Sequence, residues 1–174
     1  MSASLKPTSV ERFFDADDII VSKTDLKGRI TYANPTFCRI AGYDEDELLG
    51  QPHSIIRHPD MPRCVFKLLW DTLEQRREIF AYVKNMARNG DFYWVFCPCD
   101  AVLRRDRRGV VGYHSNRRVP DRRVVAAIEP LYAELLREEQ SHRNGKDALA
   151  AGYRRLLDFV TAKNMSYDEL IFAL

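Results

Sequence analysis

The chain has 174 residues, 45% of them hydrophobic, and a formal net charge of +2. That is enough apolar material for one cored domain with a helical appendage, and the near-balanced charge gives no global electrostatic ground for a nucleic-acid or membrane partner. No apolar run reaches the ~18 residues of a transmembrane helix, and the first residues lack the apolar core of a signal peptide, so a cytoplasmic protein without membrane insertion is expected.

Ile19 to Ser22 and Arg29 to Ala33 are rich in β-branched and aromatic residues and flank a Leu26-Lys27-Gly28 turn, which reads as two strands. Asn34 suits the N-cap and Pro35 the first position of a short helix. Asp44 to Glu47 puts acids in the first turn of another, closed by Gly50. Gln51 to Pro62 carries three prolines and two histidines and cannot be one long helix. Pro62 opens a helix over 62–75, with Val65, Phe66, Leu68, Leu69, Trp70 and Leu73 as a wide apolar face.

Three strands follow: 79–87, leading into the hairpin dipeptide Asn89-Gly90; 91–103; and, after a charged turn at 104–109, 110–117. From Pro120 the pattern is helical, with Val124, Ile128, Leu131 and Leu135 on one face and a break or kink expected at Pro130. Asn144-Gly145 marks a loop. A second apolar face holds Leu149, Tyr153, Leu156, Leu157 and Val160, and Ser166 to Glu169 is a capping box before the last apolar turn. The chain thus divides into an N-terminal segment (1–16), a sensor-sized domain (17–119) and a helical region (120–174). The order of two strands, four short helices and three strands predicts an α+β domain. Its five-stranded antiparallel sheet carries the short helices on one face, with a ligand cavity between them and C-terminal helices beyond.

Four cysteines, Cys38, Cys64, Cys97 and Cys99, form no CxxC pair. Cys97 and Cys99 share a strand face, a geometry in which a bond between them is uncomfortable, and all four read as small apolar packing. Arg57, His58 and Asp60 crowd into four residues. A diphosphate needs fixed positive donors, which Arg57 and His58 supply, while Asp60 can orient them or bind a ribose hydroxyl. From residue types alone the plainer alternative is preferred, in which Asp60 caps the following helix and Arg57 is solvated. Asn85 sits mid-strand on the face of Val83 and Ala87; facing a cavity, its amide matches the alternating carbonyls and N–H of a flavin edge. Phe66, Trp70 and Trp94 offer stacking surface but are core by default. Residues 104–123 hold eight arginines against two aspartates, read as a solvated turn touching the acids around Glu134, Glu138 and Glu139 rather than as a nucleic-acid site.

Taken together, Thr24 to Asn34, Gly42-Tyr43, Leu49 to His53, Ile56 to Pro62, Trp70, Val83 to Asn85, Asn89 to Asp91, Tyr93 to Val95 and Gly112-Tyr113 resemble the PAS domain of bacterial aerotaxis receptors. The Arg57 to Pro62 run is the most discriminating piece. The resemblance implies a PAS fold, noncovalent FAD and redox sensing for taxis rather than catalysis. It also implies Arg57, His58 and Asp60 as FAD-critical residues, reversing the plainer reading, and Asn34, Phe66, Trp70 and Asn85 as pocket residues. It departs where the family often has Gly-Glu-Pro-Trp and this chain has Arg77-Glu78-Ile79-Phe80. The chain resembles the stand-alone PAS subunits of bipartite energy-taxis systems, which implies signalling to a separate methyl-accepting-type transducer, membrane-bound or cytoplasmic. The alternatives are a haem-binding PAS domain with His53 or His58 as axial ligand, a ligand-free interaction module, a flavoenzyme, or a photoadduct sensor using Cys64. The apolar face in 146–174 is expected to carry a partner or a homodimer, or to pack back on the domain. Arg117 and Arg118 are expected to meet an acidic partner surface.

Overall fold

The structure, a computed structural model, describes residues 6–104 and 109–174. Strands β1 (Ile20–Thr24) and β2 (Ile30–Ala33) lead into helices α1 (Pro35–Ala41) and α2 (Glu45–Leu48), a 3-10 turn at His53–Ile56, and α3 (Arg63–Glu74). Then come β3 (Ile79–Met86), β4 (Phe92–Leu103) and β5 (Val110–Arg117), followed by α4 (Arg122–Gln140), α5 (Gly145–Ala162) and α6 (Tyr167–Ala173). All strand pairs are antiparallel, in the order β2-β1-β5-β4-β3. The expected α+β architecture is present, and pairing of the first strand with the last closes the unit. Of the charged turn at 104–109, residues 105–108 lie outside the described residues.

Local chemistry explains the layer on the inner face. Asn34 accepts from the backbone N–H of Phe37 and of Val21, each at 3.0 Å, and donates to the Ile19 carbonyl at 2.7 Å, so one side chain starts α1 and ties it to β1. Gly42, at φ 72°, ends α1 in the left-handed conformation. Asp44 and Glu47 form a capping box on α2. Residues 8–12 run beside the β3–β4 hairpin, with Thr8 N–H to Gly90 O at 2.8 Å and Arg12 N–H to Phe92 O at 2.7 Å. A Cβ on Gly90, at φ +93°, would lie 2.3 Å from the Lys6 carbonyl oxygen, so this close approach needs glycine.

Alternation along the strands splits the sheet into two faces. Val83, Asn85, Cys97, Cys99, Ser115 and Arg117 look toward α3 and the 3-10 turn. Tyr82, Trp94 and Phe96 look the other way, onto the C-terminal helices. Tyr132 of α4 donates its hydroxyl to the Tyr82 carbonyl at 2.8 Å and stacks on Trp94 at 6.3 Å between centroids. Phe172 of α6 meets the Phe80 ring edge-on at 4.8 Å. Phe80, next to Ile79, is thereby spent on packing α6. Leu156 and Val160 of α5 are buried, Leu149 and Tyr153 pack partly against the core, and Leu157 stays exposed. That face packs back within the chain through Leu156, Val160, Leu149 and Tyr153. α4 runs through Pro130 as one helix, not broken as expected.

Glu139 joins this layer to α3. It is 5% exposed, and its carboxylate accepts from the N–H groups of Arg63 at 2.9 Å and Cys64 at 2.7 Å. The α3 N-terminus thus takes its anion from a distant helix. Asp60 does not cap it, because the N-cap position is Pro62, which makes no side-chain cap. Among the described residues, Glu134 pairs with Arg155, Glu138 with His142, and Arg122 of the basic run with Glu11.

Candidate functional site

Between the inner sheet face and α3 lies a cavity of about 300 Å³. β1 contributes Ser22 and Thr24, the 3-10 segment His53, Ile56 and Arg57, and α3 Phe66, Leu69, Trp70 and Leu73. β3 adds Val83 and Asn85, β4 Cys97 and Cys99, and β5 Tyr113, Ser115 and Arg117. The apolar wall comes from α3, whose helical spacing turns Phe66, Leu69, Trp70 and Leu73 to one side. The polar groups come from the strands, where alternate residues share the inner face.

Four residues singled out in the sequence meet here: Arg57, Phe66, Trp70 and Asn85. The Arg57 guanidinium lies over the Phe66 ring, 4.3 Å from its centroid, and donates to the Met61 carbonyl at 3.3 Å. Backbone bridging of Arg57 to Asn85 fixes the segment against β3. Trp70 stands edge-on to Tyr113 at 5.0 Å.

Three others do not line the cavity. The side chain of Asn34 is consumed by its capping bonds. His58 is 3% exposed; its ring packs edge-on to Phe92 at 5.9 Å, and Nδ1 accepts from the Asp60 N–H at 3.1 Å. Asp60 bonds Lys84 at 2.7 Å beside Trp94 and Tyr132, on the outer side of the sheet. A run of four residues at a sheet edge alternates in direction, so proximity in sequence did not bring these side chains to one ligand.

The sequence reading missed the buried polar cluster around Arg117. This residue is 2% exposed, not a surface arginine facing a partner, and its Nη2 donates to Ser22 Oγ at 2.6 Å and His53 Nε2 at 2.5 Å. The guanidinium also lies over Phe37 at 5.1 Å. The signal was parity: Arg117 shares a face with Tyr113 and Ser115, whereas Arg118 points out. Burial, aided by the Arg117 charge, pushes the His53 imidazole down to about 3, so it stays neutral and can accept. Its unfolded value is near 6.5. Between those values the unfolded chain binds a proton that the folded chain refuses, so His53 contributes stability above pH ~6.5 that is lost as pH falls. At pH 5 wild type should have lost about 2 kcal/mol relative to pH 7 through this residue. Urea unfolding at both pH values, compared with His53→Gln, should show that difference vanish in the variant.

Three cavity-lining atoms are buried without a hydrogen-bond partner: Thr24 Oγ1, Asn85 Nδ2 and Arg117 Nη1. Each such group costs about 1–3 kcal/mol unless something in the cavity bonds it. The chemistry called for is a flat molecule with an edge of acceptors, held against an aromatic and aliphatic wall. Haem ligation by histidine fits poorly, since His53 Nε2 is already engaged by Arg117 and Ser22, and His58 lies outside the cavity. Among the described residues no group of three or more His, Cys, Asp and Glu side chains could hold a metal ion.

With an inner cavity between a β2-β1-β5-β4-β3 sheet and short helices, the chain matches the PAS fold family over residues 30–117. The chain belongs to that family. It is 42% identical over 119 residues to the aerotaxis receptor of Escherichia coli (strain K12), a match covering 68% of this chain and 23% of the receptor. It is 39% identical over 85 residues to the nitrogen fixation regulatory protein of Klebsiella pneumoniae, covering 49% of this chain and 17% of that protein. The chain thus spans under a quarter of the length of either relative. The light-state structure of the LOV domain of the blue-light photoreceptor Aureochrome1 shares the fold, with a TM-score of 0.54 at 21% identity, over 71% of this chain and 91% of that one. No described helix is long and apolar enough to cross a membrane.

Proposed function

We propose that this chain is a cytoplasmic redox sensor that holds FAD noncovalently in the inner cavity and reports its state to a separate chemotaxis-type transducer. The observation that carries the reading is the convergence of Asn85 Nδ2, Arg117 Nη1 and Thr24 Oγ1, all unpartnered, on one apolar-walled cavity. These groups suit the polar edge of an isoalloxazine ring, and Phe66, Leu69 and Trp70 suit its face. When bound, the flavin supplies reversible electron uptake. The likeness to aerotaxis receptors, in sequence and in the Arg57 to Pro62 run, supports FAD and a signalling role rather than catalysis.

Arg57 is the group for the diphosphate, set at the cavity wall by its stack on Phe66. His58 and Asp60 act as positioning residues: the Asp60–Lys84 pair and the His58 packing on Phe92 anchor the segment that presents Arg57. The signal leaves through the sheet. β3 carries Asn85 on its inner face and, at Tyr82, the carbonyl that receives Tyr132 of α4, so a change in the partners of Asn85 reaches the C-terminal helices directly. Those helices are the surface offered to a transducer or a second copy.

The chain offered FAD and FMN should retain FAD. Arg57→Ala should weaken FAD about 10- to 100-fold, the worth of one charge-assisted bond, while leaving FMN affinity nearly unchanged. An unchanged FAD affinity in the variant would remove Arg57 from the site.

A further inference from the structure

Two sulfurs in the cavity wall have no part in holding a ring edge. Cys97 and Cys99 stand two residues apart on β4, and their Sγ atoms are 2.8 Å from each other. Cys97 Sγ is also 3.1 Å from Ser115 Oγ. The spacing that made a bond between them look uncomfortable is overcome by the two side chains leaning together. Between them is Pro98, which has no N–H to give a neighbouring strand, and the β4–β5 ladder runs only from Cys99 onward, resuming at the Phe96–Arg118 bridge. At Pro98 β4 is paired on one side only, with Phe80 of β3, so its β5 side is open as the sulfurs approach.

We propose that Cys97 and Cys99 form a redox-active dithiol in which a hydroperoxide oxidises Cys97 and Cys99 resolves it to a disulfide. The surroundings favour an anion over a metal cation, because Arg117 lines the same wall. A hydrogen bond from Cys99, helped by the Arg117 charge, holds the Cys97 thiol below its ordinary range in spite of burial, and Cys99 is raised in turn. Both sulfurs are almost fully buried and are reached through the cavity, which suits a small oxidant. The Cys97 thiolate attacks one peroxide oxygen, forming an S–O bond as the O–O bond breaks and hydroxide leaves. The Cys99 sulfur then attacks Cys97 sulfur, forming the S–S bond, while the sulfenic oxygen departs as water with the Cys99 proton. Overall two thiols and one hydrogen peroxide give one disulfide and two waters. Cys64, by contrast, is buried beside Glu139, and burial with that carboxylate raises its thiol far above the usual range, so it stays inert.

The site does not depend on a flavin, and its test separates the two readings. The full chain, with and without flavin, is titrated with hydrogen peroxide, alkylated and mapped by peptide mass spectrometry. In the flavin-free form the peptide carrying Cys97 and Cys99 should lose two hydrogens in mass and regain them with dithiothreitol, and bound flavin, which fills the approach, should slow that loss. Cys99→Ser should instead trap a dimedone adduct on Cys97, and Cys97→Ser should give no adduct on Cys99. The proposal is overturned if both thiols stay alkylatable after the partly exposed Cys38 has been oxidised. It is equally overturned if the two variants trap adducts alike, or if the disulfide forms only when flavin is bound.

Discussion

Replacing Glu139 by Gln should destabilise the chain by about 2–4 kcal/mol, the largest effect expected of any single isosteric change. The carboxylate is almost wholly buried and accepts two backbone N–H groups at the start of α3. Charge-assisted bonds at a helix N-terminus are worth more than neutral ones, and the anion also meets the positive end of the helix dipole. Gln keeps the shape but turns an NH₂ group toward one of those N–H donors, leaving two donors opposed in a dry site. Relaxation is limited, because α5 closes over the carboxylate with Gly152, where a Cβ would lie 2.6 Å from Glu139 Cγ. Urea unfolding should show a lower midpoint with an unchanged slope. Coincident midpoints for wild type and variant would show that α3 does not depend on this helix for its start.

Asn85→Leu should separate binding from folding. Leu is similar in size and removes a buried donor that no protein group satisfies, so the flavin-free fold should be no less stable than wild type. Affinity for FAD should fall by about 2–4 kcal/mol, roughly 30- to 1,000-fold, as the ligand loses its bonds to the amide. Equilibrium titration followed by flavin fluorescence reads this directly. A variant that binds FAD as wild type does would place the ring edge elsewhere in the cavity.

The elements were largely legible in the sequence because their signals are local. Asn34-Pro35, the first-turn acids of Asp44 to Glu47 and Asn89-Gly90 each act within a few residues and lie where expected. Asn85 was legible from strand alternation, and Phe66 and Trp70 from helical spacing. What stayed hidden depends on contacts between distant segments. Glu139 looked like one more surface acid, since nothing near it in sequence tells that the α3 N-terminus, 75 residues away, needs an anion. Arg117 was absorbed into a basic run whose neighbours are exposed, and only the pairing of β5 with β1 sets it against Ser22. His58 and Asp60 were grouped with Arg57 by sequence proximity, yet the chain turns at the sheet edge and sends them to the other side. Cys97 and Cys99 were expected to share a face and do, but their convergence comes from side-chain rotamers that no pattern encodes.

The most direct measurement is the visible spectrum of the purified chain before and after dithionite, followed by chromatography of whatever denaturation releases. The expected result is an oxidised-flavin spectrum that bleaches reversibly on reduction, with FAD as the released compound. A Soret band, FMN alone, or no chromophore even after incubation with FAD would contradict a flavin redox sensor built on this cavity.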